Sequence, residues 1–424
     1  MRIESFSWSR YRSFKDRQRV EVSPLTVIIG RNGSGKSVVS RLPVLLASGV
    51  AIDATDPLDL ESGGIEHAAT YQDLAYQRGR LPFSLGASVA GEHGSYEFET
   101  TLRYVTETRS IVVEKFLLLA GNELLLSLEL ADEAQFTSAA PIFKASGLDA
   151  SERLQVEFAG LLPKPDLFKD GARRMVERAL MAIRAAFPAP SYLGPFRVEA
   201  SRSNSASGRT VRELGARGQR AIELLAEDAV RFNGRLVEEV SNWFVSAVGQ
   251  GIAVEFAADL ARVLVKDPRH AIDVSLADTG AGLAQVLPFV VQHLATKSGR
   301  LLSKMLIVEQ PELHLHPGAH GAVMDLALSS VLSENRPTGI TCLIETHSEQ
   351  MIMRLRRRIA EGVDPSKVAI WSLNHSDVNG PDEDVEPLRI IGFDQDGSPD
   401  SWPAGVFEES FQDLKALAKA ARER

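Results

Sequence analysis

The sequence predicts a mixed α/β fold with a largely parallel main sheet, an antiparallel β subdomain and a helical insertion. Three short apolar runs, at 25–29, 304–308 and 341–344, each lead into glycine or polar residues of the kinds that bind ligands. Short runs rich in β-branched residues are typical of buried parallel strands. Alternating segments between 84 and 130 favour antiparallel strands, and apolar residues recur at helical spacing within 170–248.

The first apolar run leads directly into a segment with the spacing Gly-x-x-x-x-Gly-Lys-Ser. Glycine lets backbone N–H groups approach a phosphate closely, and the lysine can reach the β- and γ-phosphate oxygens. The serine hydroxyl can coordinate Mg²⁺ at the start of the next helix. We therefore expect a P-loop NTPase that binds ATP and Mg²⁺. The predicted nucleotide-binding residues are Gly30, Arg31, Asn32, Gly33, Ser34, Gly35, Lys36 and Ser37, and the last of them is also a predicted metal ligand.

The second apolar run ends in Glu309-Gln-Pro-Glu312. A carboxylate at the end of a strand parallel to the first would lie beside the phosphate loop and hold Mg²⁺ through water. Glu309 is therefore the second predicted metal ligand.

The third apolar run ends in Glu345-Thr-His-Ser-Glu349 and so delivers His347 to the same edge of the sheet. A neutral imidazole can donate to a γ-phosphate and orient the attacking water. We predict that His347 takes part in catalysis.

Together these motifs resemble the ABC-type ATPase heads of the RecF, SMC and OLD group, and the likeness spans nearly the whole chain. A narrower likeness is to stand-alone bacterial ATPases of the AAA/ABC kind. The resemblance implies an ABC-ATPase head fold. It rests on the phosphate loop, the opening 3–14, Leu306–Pro317 and Ile344–Ser348, and the narrower likeness rests on Tyr192–Arg197, Asp278–Gln285 and Trp402–Phe407.

In such heads, a signature motif of one subunit caps the γ-phosphate bound by the other. Gly280, Gly282 and Gln285 match that place, ahead of a helix start that is suited to an anion. A plain strand-to-helix turn is the alternative interpretation. The resemblance therefore implies that ATP bridges a homodimer.

One position departs from this family. Most of these heads carry a catalytic glutamate where this chain has Gln310, and an amide cannot accept a proton from water. The resemblance implies that glutamine slows hydrolysis and holds the ATP-bound dimer closed. Glu312 and Glu345 are alternative general bases between which the sequence does not choose. We expect a slow ATPase, or alternatively a nucleotide-sensing scaffold that dimerises with little hydrolysis.

Length and composition fit two or three domains, since 424 residues with 44% hydrophobic content can form a substantial core. We expect a nucleotide-binding lobe with the phosphate loop and a β meander over 1–130, and a mainly helical insertion over 131–270. A second lobe over 271–424 would hold the signature-like motif, the metal-binding strand, the His347 loop and a C-terminal segment. The single cysteine, Cys342, and the absence of a ~20-residue apolar run predict a cytoplasmic protein without a membrane partner.

The formal net charge of −9 argues against binding nucleic acid over the whole surface. A local patch is possible, because Arg197–Arg220 contains six arginines against two glutamates. The plainer interpretation is a solvated loop. The resemblance suggests that ATP-dependent dimerisation acts on DNA or on an effector protein, and analogy of architecture suggests DNA repair or phage defence. The aspartates and glycine of Asp394–Gly397 are typical turn residues, so this segment is predicted to form a β-turn.

Overall fold

The computed structural model describes residues 1–92, 94–138, 140–147, 150–164, 170–187, 189–205, 208–267, 272–332, 339–373, 387–402 and 406–407. Its α-helices are α1 (Lys36–Val50), α2 (Asp170–Ala186), α3 (Ala221–Arg231), α4 (Arg235–Val248), α5 (Ala281–Lys297), α6 (Pro317–Val331) and α7 (Glu349–Ala360). No helix among the described residues is both long and apolar enough to cross a membrane.

The strands of the first half of the chain are β1 (Arg2–Ser9), β2 (Gln18–Glu21), β3 (Leu25–Gly30), β4 (Glu61–Ser62), β5 (Ile65–Glu66), β6 (Phe83–Gly91), β7 (Gly94–Val105), β8 (Ser110–Ala120), β9 (Glu123–Leu130), β10 (Ile142–Gly147), β11 (Ala150–Gln155), β12 (Phe158–Ala159) and β13 (Leu162–Pro163). Those of the second half are β14 (Ser191–Leu193), β15 (Asn204–Ser205), β16 (Gly251–Ala257), β17 (Leu260–Asp267), β18 (Ile272–Ser275), β19 (Met305–Glu309), β20 (Thr341–Glu345), β21 (Val368–Leu373) and β22 (Leu388–Ile391).

By its internal contacts the chain divides into two units. The first unit comprises Met1–Val22 and Arg41–Pro190, and the second comprises Ser23–Ser40 and Ser191–Arg424. Each unit has a sheet of its own.

The first unit contains an eight-stranded sheet in the order β11-β10-β9-β8-β7-β6-β1-β2, and the pairs are antiparallel. Its strands alternate between buried and half-buried side chains, as β7 shows with Tyr96 and Phe98 inside and Glu97 between them. Helix α2 packs on this sheet through Val176 and Leu180, which are fully buried. The predicted antiparallel subdomain is therefore confirmed.

The second unit contains a six-stranded sheet in the order β14-β19-β20-β3-β21-β22. All its pairs are parallel except that of β22 with β21. The side chains of β3, β19 and β21 are buried on both faces, as expected of parallel strands covered by helices. All three predicted strands are confirmed, and so is the mixed α/β fold class.

A smaller sheet in the second unit, β15-β17-β16 with β18 on β17, packs against α3 and α4. The core of this unit joins that sheet to the parallel one through side chains such as Phe244 and Phe289. The predicted β-turn at Asp394–Gly397 is present, because the Gly397 N–H donates to the Asp394 carbonyl at 3.1 Å.

The two units do not follow the three predicted ranges. Helices α2, α3 and α4 form within 131–270 as expected, but β10–β17 also lie there, and the range divides between the units at Pro190. The physical reason is strand pairing. Because β3 pairs between β20 and β21, the phosphate loop belongs to the unit formed mainly by the second half of the chain.

Candidate nucleotide-binding site

The phosphate loop, residues 30–37, joins the end of β3 to the start of α1. Gly30, Gly33 and Gly35 have φ values of 149°, 78° and 95°, a region that side chains rarely adopt. Gly30 also lies against the end of β21, since a Cβ built there would be 2.4 Å from the Leu373 carbonyl oxygen. The loop conformation therefore requires glycine at these positions.

Lys36 is the buried cation of this loop, and its side chain is only 4% exposed. Its Nζ donates to the carbonyl oxygens of Gly30 at 2.9 Å and Arg31 at 2.6 Å. Burial lowers the pKa of Lys36, and the charge of Glu345 opposes that shift. The hydroxyl of Ser34 is also buried and has no hydrogen-bond partner in the described part of the chain. Both groups are positioned to contact a phosphate that the loop encloses.

The carboxylate pair, Glu309 and Glu345, stands where β19 and β20 end. The two residues are opposite each other in the parallel register and are 1% and 2% exposed. Ser37 Oγ lies 3.0 Å from Oε2 of Glu345, and Ser40 Oγ lies 3.0 Å from Oε1 of Glu309 and 3.2 Å from Oε2 of Glu345. The predicted metal residues Ser37 and Glu309 are therefore brought to one side of the loop.

Burial, and then the charge of Glu309, raises the pKa of Glu345 to about 7, while hydrogen bonds from Ser37 and Ser40 oppose the shift. Two carboxylates so close cannot both ionise easily without a cation. Ser40 was missed by the sequence reasoning. Its position in the sequence could have indicated this contact, since Ser40 lies three residues after Ser37 and thus on the same face of α1.

Glu312 points into the protein and is 8% exposed. Its Oε1 accepts hydrogen bonds from Thr346 Oγ1 and from the His347 N–H, both at 2.8 Å. Its Oε2 has no hydrogen-bond partner among the described residues. The carboxylate is therefore turned away from solvent toward the loop after β20.

The His347 residue is exposed, but part of its ring is shielded from water, and this desolvation together with the charge of Lys36 lowers its pKa. His347 therefore lies on the phosphate-loop side of the sheet edge. The following serine is supported by His320 of α6, whose Nδ1 lies 2.8 Å from Ser348 Oγ. Nothing in the sequence around His320 indicated this contact.

Gln310 occupies the turn after β19 with a φ of 46°. Its N–H donates to the Glu345 carbonyl at 2.7 Å, and its own carbonyl lies 3.4 Å from Nη1 of Arg197. Gln310 therefore has a strained backbone conformation, and hydrogen bonds to its N–H and carbonyl groups maintain it.

The signature-like segment forms the N-terminus of α5, but its three predicted residues differ in position. Gly280 is the exposed N-cap, and nothing lies within 4 Å of a Cβ built on it. Gly282 packs closely, because its Cβ would lie 2.4 Å from the His314 carbonyl oxygen. Gln285 is 8% exposed and its amide bonds to the main chain of Arg197. The prediction that Gln285 contacts nucleotide does not fit this position, because its hydrogen-bonding groups are used inside its own chain.

The predicted DNA patch also needs a correction. Arg197 is 2% exposed and its guanidinium faces the end of β19, so it cannot contact a nucleic acid. Arg202 is exposed but lies 2.8 Å from Asp278 in an ion pair. Arg212 and Arg217 are exposed. Only the exposed arginines of this patch can therefore contact a nucleic acid. Residues 206–207 of the patch lie outside the described residues.

No family profile and no curated protein sequence matches the chain. Among solved structures, it is similar to an SMC head bound to the C-winged helix domain of ScpA, with 11% identity and a TM-score of 0.45, over 92% of this chain and 98% of that one. It is also similar to the SMC head domain from Thermotoga maritima, with 11% identity and a TM-score of 0.42, over 93% of this chain and 100% of that one.

A third similar structure is an Smc head domain with an extended coiled coil from Pyrococcus furiosus, bound to the C-terminal domain of ScpA. The identity is 10% and the TM-score 0.43, over 98% of this chain and 99% of that one.

Proposed function

We propose that the chain binds Mg²⁺·ATP at the N-terminus of α1 and that two copies close on the nucleotides as ABC-type heads. The observation that carries the proposal is the phosphate loop itself. Three glycines at positive φ, the buried ammonium of Lys36 and the start of a helix converge on one point. Such an arrangement favours a phosphate chain, because N–H dipoles and a cation face the same volume.

Mg²⁺ fits the residues beside this loop. A hard cation prefers oxygen ligands, and the Ser37 hydroxyl and the buried Glu309 carboxylate supply them from one side. When bound, the metal would neutralise charge on the β- and γ-phosphates. Ser37 and Glu309 would hold it, directly or through water.

For turnover, Glu312 is the base that the contacts favour. Hydrogen bonds from Thr346 and His347 fix one of its carboxylate oxygens, and the other has no partner among the described residues. Glu345, by contrast, bonds to Ser37 and Ser40. Hydrolysis is slow in this proposal, because Gln310 occupies the place next to Glu309 and cannot accept a proton.

A second candidate function is a nucleotide-sensing scaffold that dimerises with ATP and hardly hydrolyses it. The specific observation in its favour is again Gln310, whose main chain is fixed in the turn where a catalytic base would be expected. In either case the α5 N-terminus is the surface offered to the other copy, since Gly280 is exposed there. The exposed Arg212 and Arg217 make DNA a candidate target, and an effector protein is the other.

Binding of a fluorescent ATP analogue with Mg²⁺, together with light scattering with and without ATP, tests the proposal. We expect Lys36→Ala to weaken binding by about 100-fold, because a buried charge-assisted contact to phosphate is lost. Lys304→Ala, which removes an exposed lysine at the other end of β19, is the matched control. Unchanged binding by Lys36→Ala would overturn the assigned site.

Two further readouts of the same samples separate the two candidate functions. Doubling of the scattering mass with ATP supports the bridged dimer, and a persistent monomer would contradict it. Single-turnover hydrolysis that Glu312→Gln abolishes while binding survives identifies an enzyme. ATP-dependent dimerisation without hydrolysis identifies the scaffold.

A further inference from the structure

Arg197 is a buried cation beneath the turn that follows β19. Its Nη2 donates to the Glu309 carbonyl at 2.9 Å and its Nη1 to the Gln310 carbonyl at 3.4 Å. Its Nε has no hydrogen-bond partner in the described part of the chain. The guanidinium therefore contacts the main chain at the two positions where the proposed metal ligand and the missing base lie.

The main chain of Arg197 is in turn fixed to α5. Gln285 accepts a hydrogen bond from the Arg197 N–H at 3.1 Å and donates one to the Arg197 carbonyl at 3.2 Å. Gly282 of the same helix packs directly on the His314 carbonyl. The first turns of α5 thus reach the segment after β19 twice, once through Arg197 and once by direct contact.

A guanidinium is costly to bury at this place. Burial lowers the pKa of Arg197 to about 10, although the charges of Glu312 and Glu309 oppose the shift. Buried charges are weak stabilisers, and apolar side chains of similar volume often replace them without loss. Arg197 donates a hydrogen bond to the carbonyl of Gln310, and the φ of 46° at Gln310 is a conformation that needs support from its surroundings.

We propose that Arg197 is a positioning residue that couples the α5 N-terminus to the turn of Glu309 and Gln310. This inference rests on the proposed function, in which α5 of one copy caps the nucleotide held by the other. Closure of α5 on the partner's nucleotide would move Gln285, and with it the main chain of Arg197. The guanidinium would pass that movement to the chain's own metal-binding strand end, so that each nucleotide site responds to the occupancy of the other.

The test is the cooperativity of Mg²⁺·ATP binding, measured with a fluorescent analogue at protein concentrations where the wild type dimerises. We expect a Hill coefficient approaching 2 for the wild type and a clearly lower one for Arg197→Met at concentrations where both dimerise with ATP to the same extent, because the two proteins then differ only in the coupling between their sites. Binding to the dilute monomer should change by less than about 3-fold, since the phosphate loop is intact. Arg235→Met, which removes an exposed arginine of α4, should match the wild type.

Gln285→Met provides a second variant that leaves the guanidinium in place and removes both bonds to the Arg197 main chain. It should lower the Hill coefficient in the same way, and it carries the test if thermal unfolding shows that Arg197→Met does not fold. Wild-type cooperativity in the folded variants, or a non-cooperative wild type, overturns the coupling. A wild type that does not bind ATP, or does not dimerise with it, would instead refute the proposed function.

Discussion

Helices α1 and α5 each begin after a glycine of the second unit, and the surroundings of their N-termini differ. Helix α1 follows the phosphate loop, where glycines adopt positive φ and the Lys36 side chain is buried. Helix α5 follows Gly280, which has an ordinary φ of −60° and an open surface around it. Both N-termini carry the partial positive charge that attracts anions, so the difference lies in what surrounds them.

At α1 the chain supplies every part of a phosphate site by itself. Main-chain N–H groups, a lysine, a serine hydroxyl and the carboxylate pair all come from one unit. At α5 the side chain with amide donors, Gln285, is turned inward to Arg197. In the proposed function, α1 would therefore carry the phosphate site within one chain, and α5, which offers only its backbone, would complete the site of a second copy.

The largest expected effect sharpens the comparison on the α1 side, where Gln310 stands next to Glu309 in place of a stronger base. Gln310→Glu should raise single-turnover hydrolysis by about 100-fold, because general-base assistance is typically worth that much or more. Single-turnover rates with excess protein over labelled ATP measure it. Gln350→Glu, on α7, is the control for added charge, and an unchanged rate in Gln310→Glu would mean that this position does not face the water.

The second prediction concerns the α5 side, and its failure would contradict the comparison of the two helix N-termini. Gly280→Ala should leave monomer stability and ATP binding near wild type, since its φ suits alanine and no atom lies within 4 Å of the added Cβ. Dimerisation with ATP should weaken by about 10-fold, because the methyl group enters space that a partner's phosphate must approach, and 1.4 kcal/mol corresponds to that factor. Analytical ultracentrifugation with ATP measures it.

Ser298→Ala, at the other end of α5, is the matched control for that experiment and should dimerise as the wild type does. If Gly280→Ala also dimerises normally, the α5 N-terminus is not part of the contact between copies, and the two helix starts are not complementary halves of one site.

The smallest effect concerns the pH dependence that the carboxylate pair gives to the α1 site. The pKa of Glu345 is raised from 4.5 to about 7 in the folded chain. Between these values the folded chain retains a proton that the unfolded chain releases, so the folded state loses stability as pH rises, and the loss is complete above about pH 7.

Glu345→Gln should remove this dependence, so its stability relative to the wild type should increase by about 3 kcal/mol from pH 4.5 to pH 8. Thermal unfolding midpoints at the two pH values, without nucleotide or metal, measure the change. Glu361→Gln is the control, because the pKa of that exposed carboxylate is lowered by Arg357 and Arg358, and its pH dependence runs the other way. A midpoint difference independent of pH would contradict the raised pKa.

Much of this site could be predicted from local sequence. The phosphate loop, Glu309 and His347 each follow an apolar run directly, so the strand that positions them is readable beside them. The burial of Arg197, the inward turn of Gln285 and the contact of Ser40 with both carboxylates could not be predicted. Each depends on a partner far away in the sequence, and no local pattern records which segments the folded chain brings together.

The position of β3 also has a consequence for how the chain is made. It lies between β20 and β21, so the strand that precedes the phosphate loop is synthesised well before both of its neighbours. Pairings of such large sequence separation form slowly because the loop they close is long. A growing chain on the ribosome therefore carries its phosphate-binding sequence long before any sheet can hold it. In the proposed function, ATP can stabilise this sheet only after β20 and β21 have been made, so the nucleotide would act as a ligand that favours the paired sheet over its unpaired precursors.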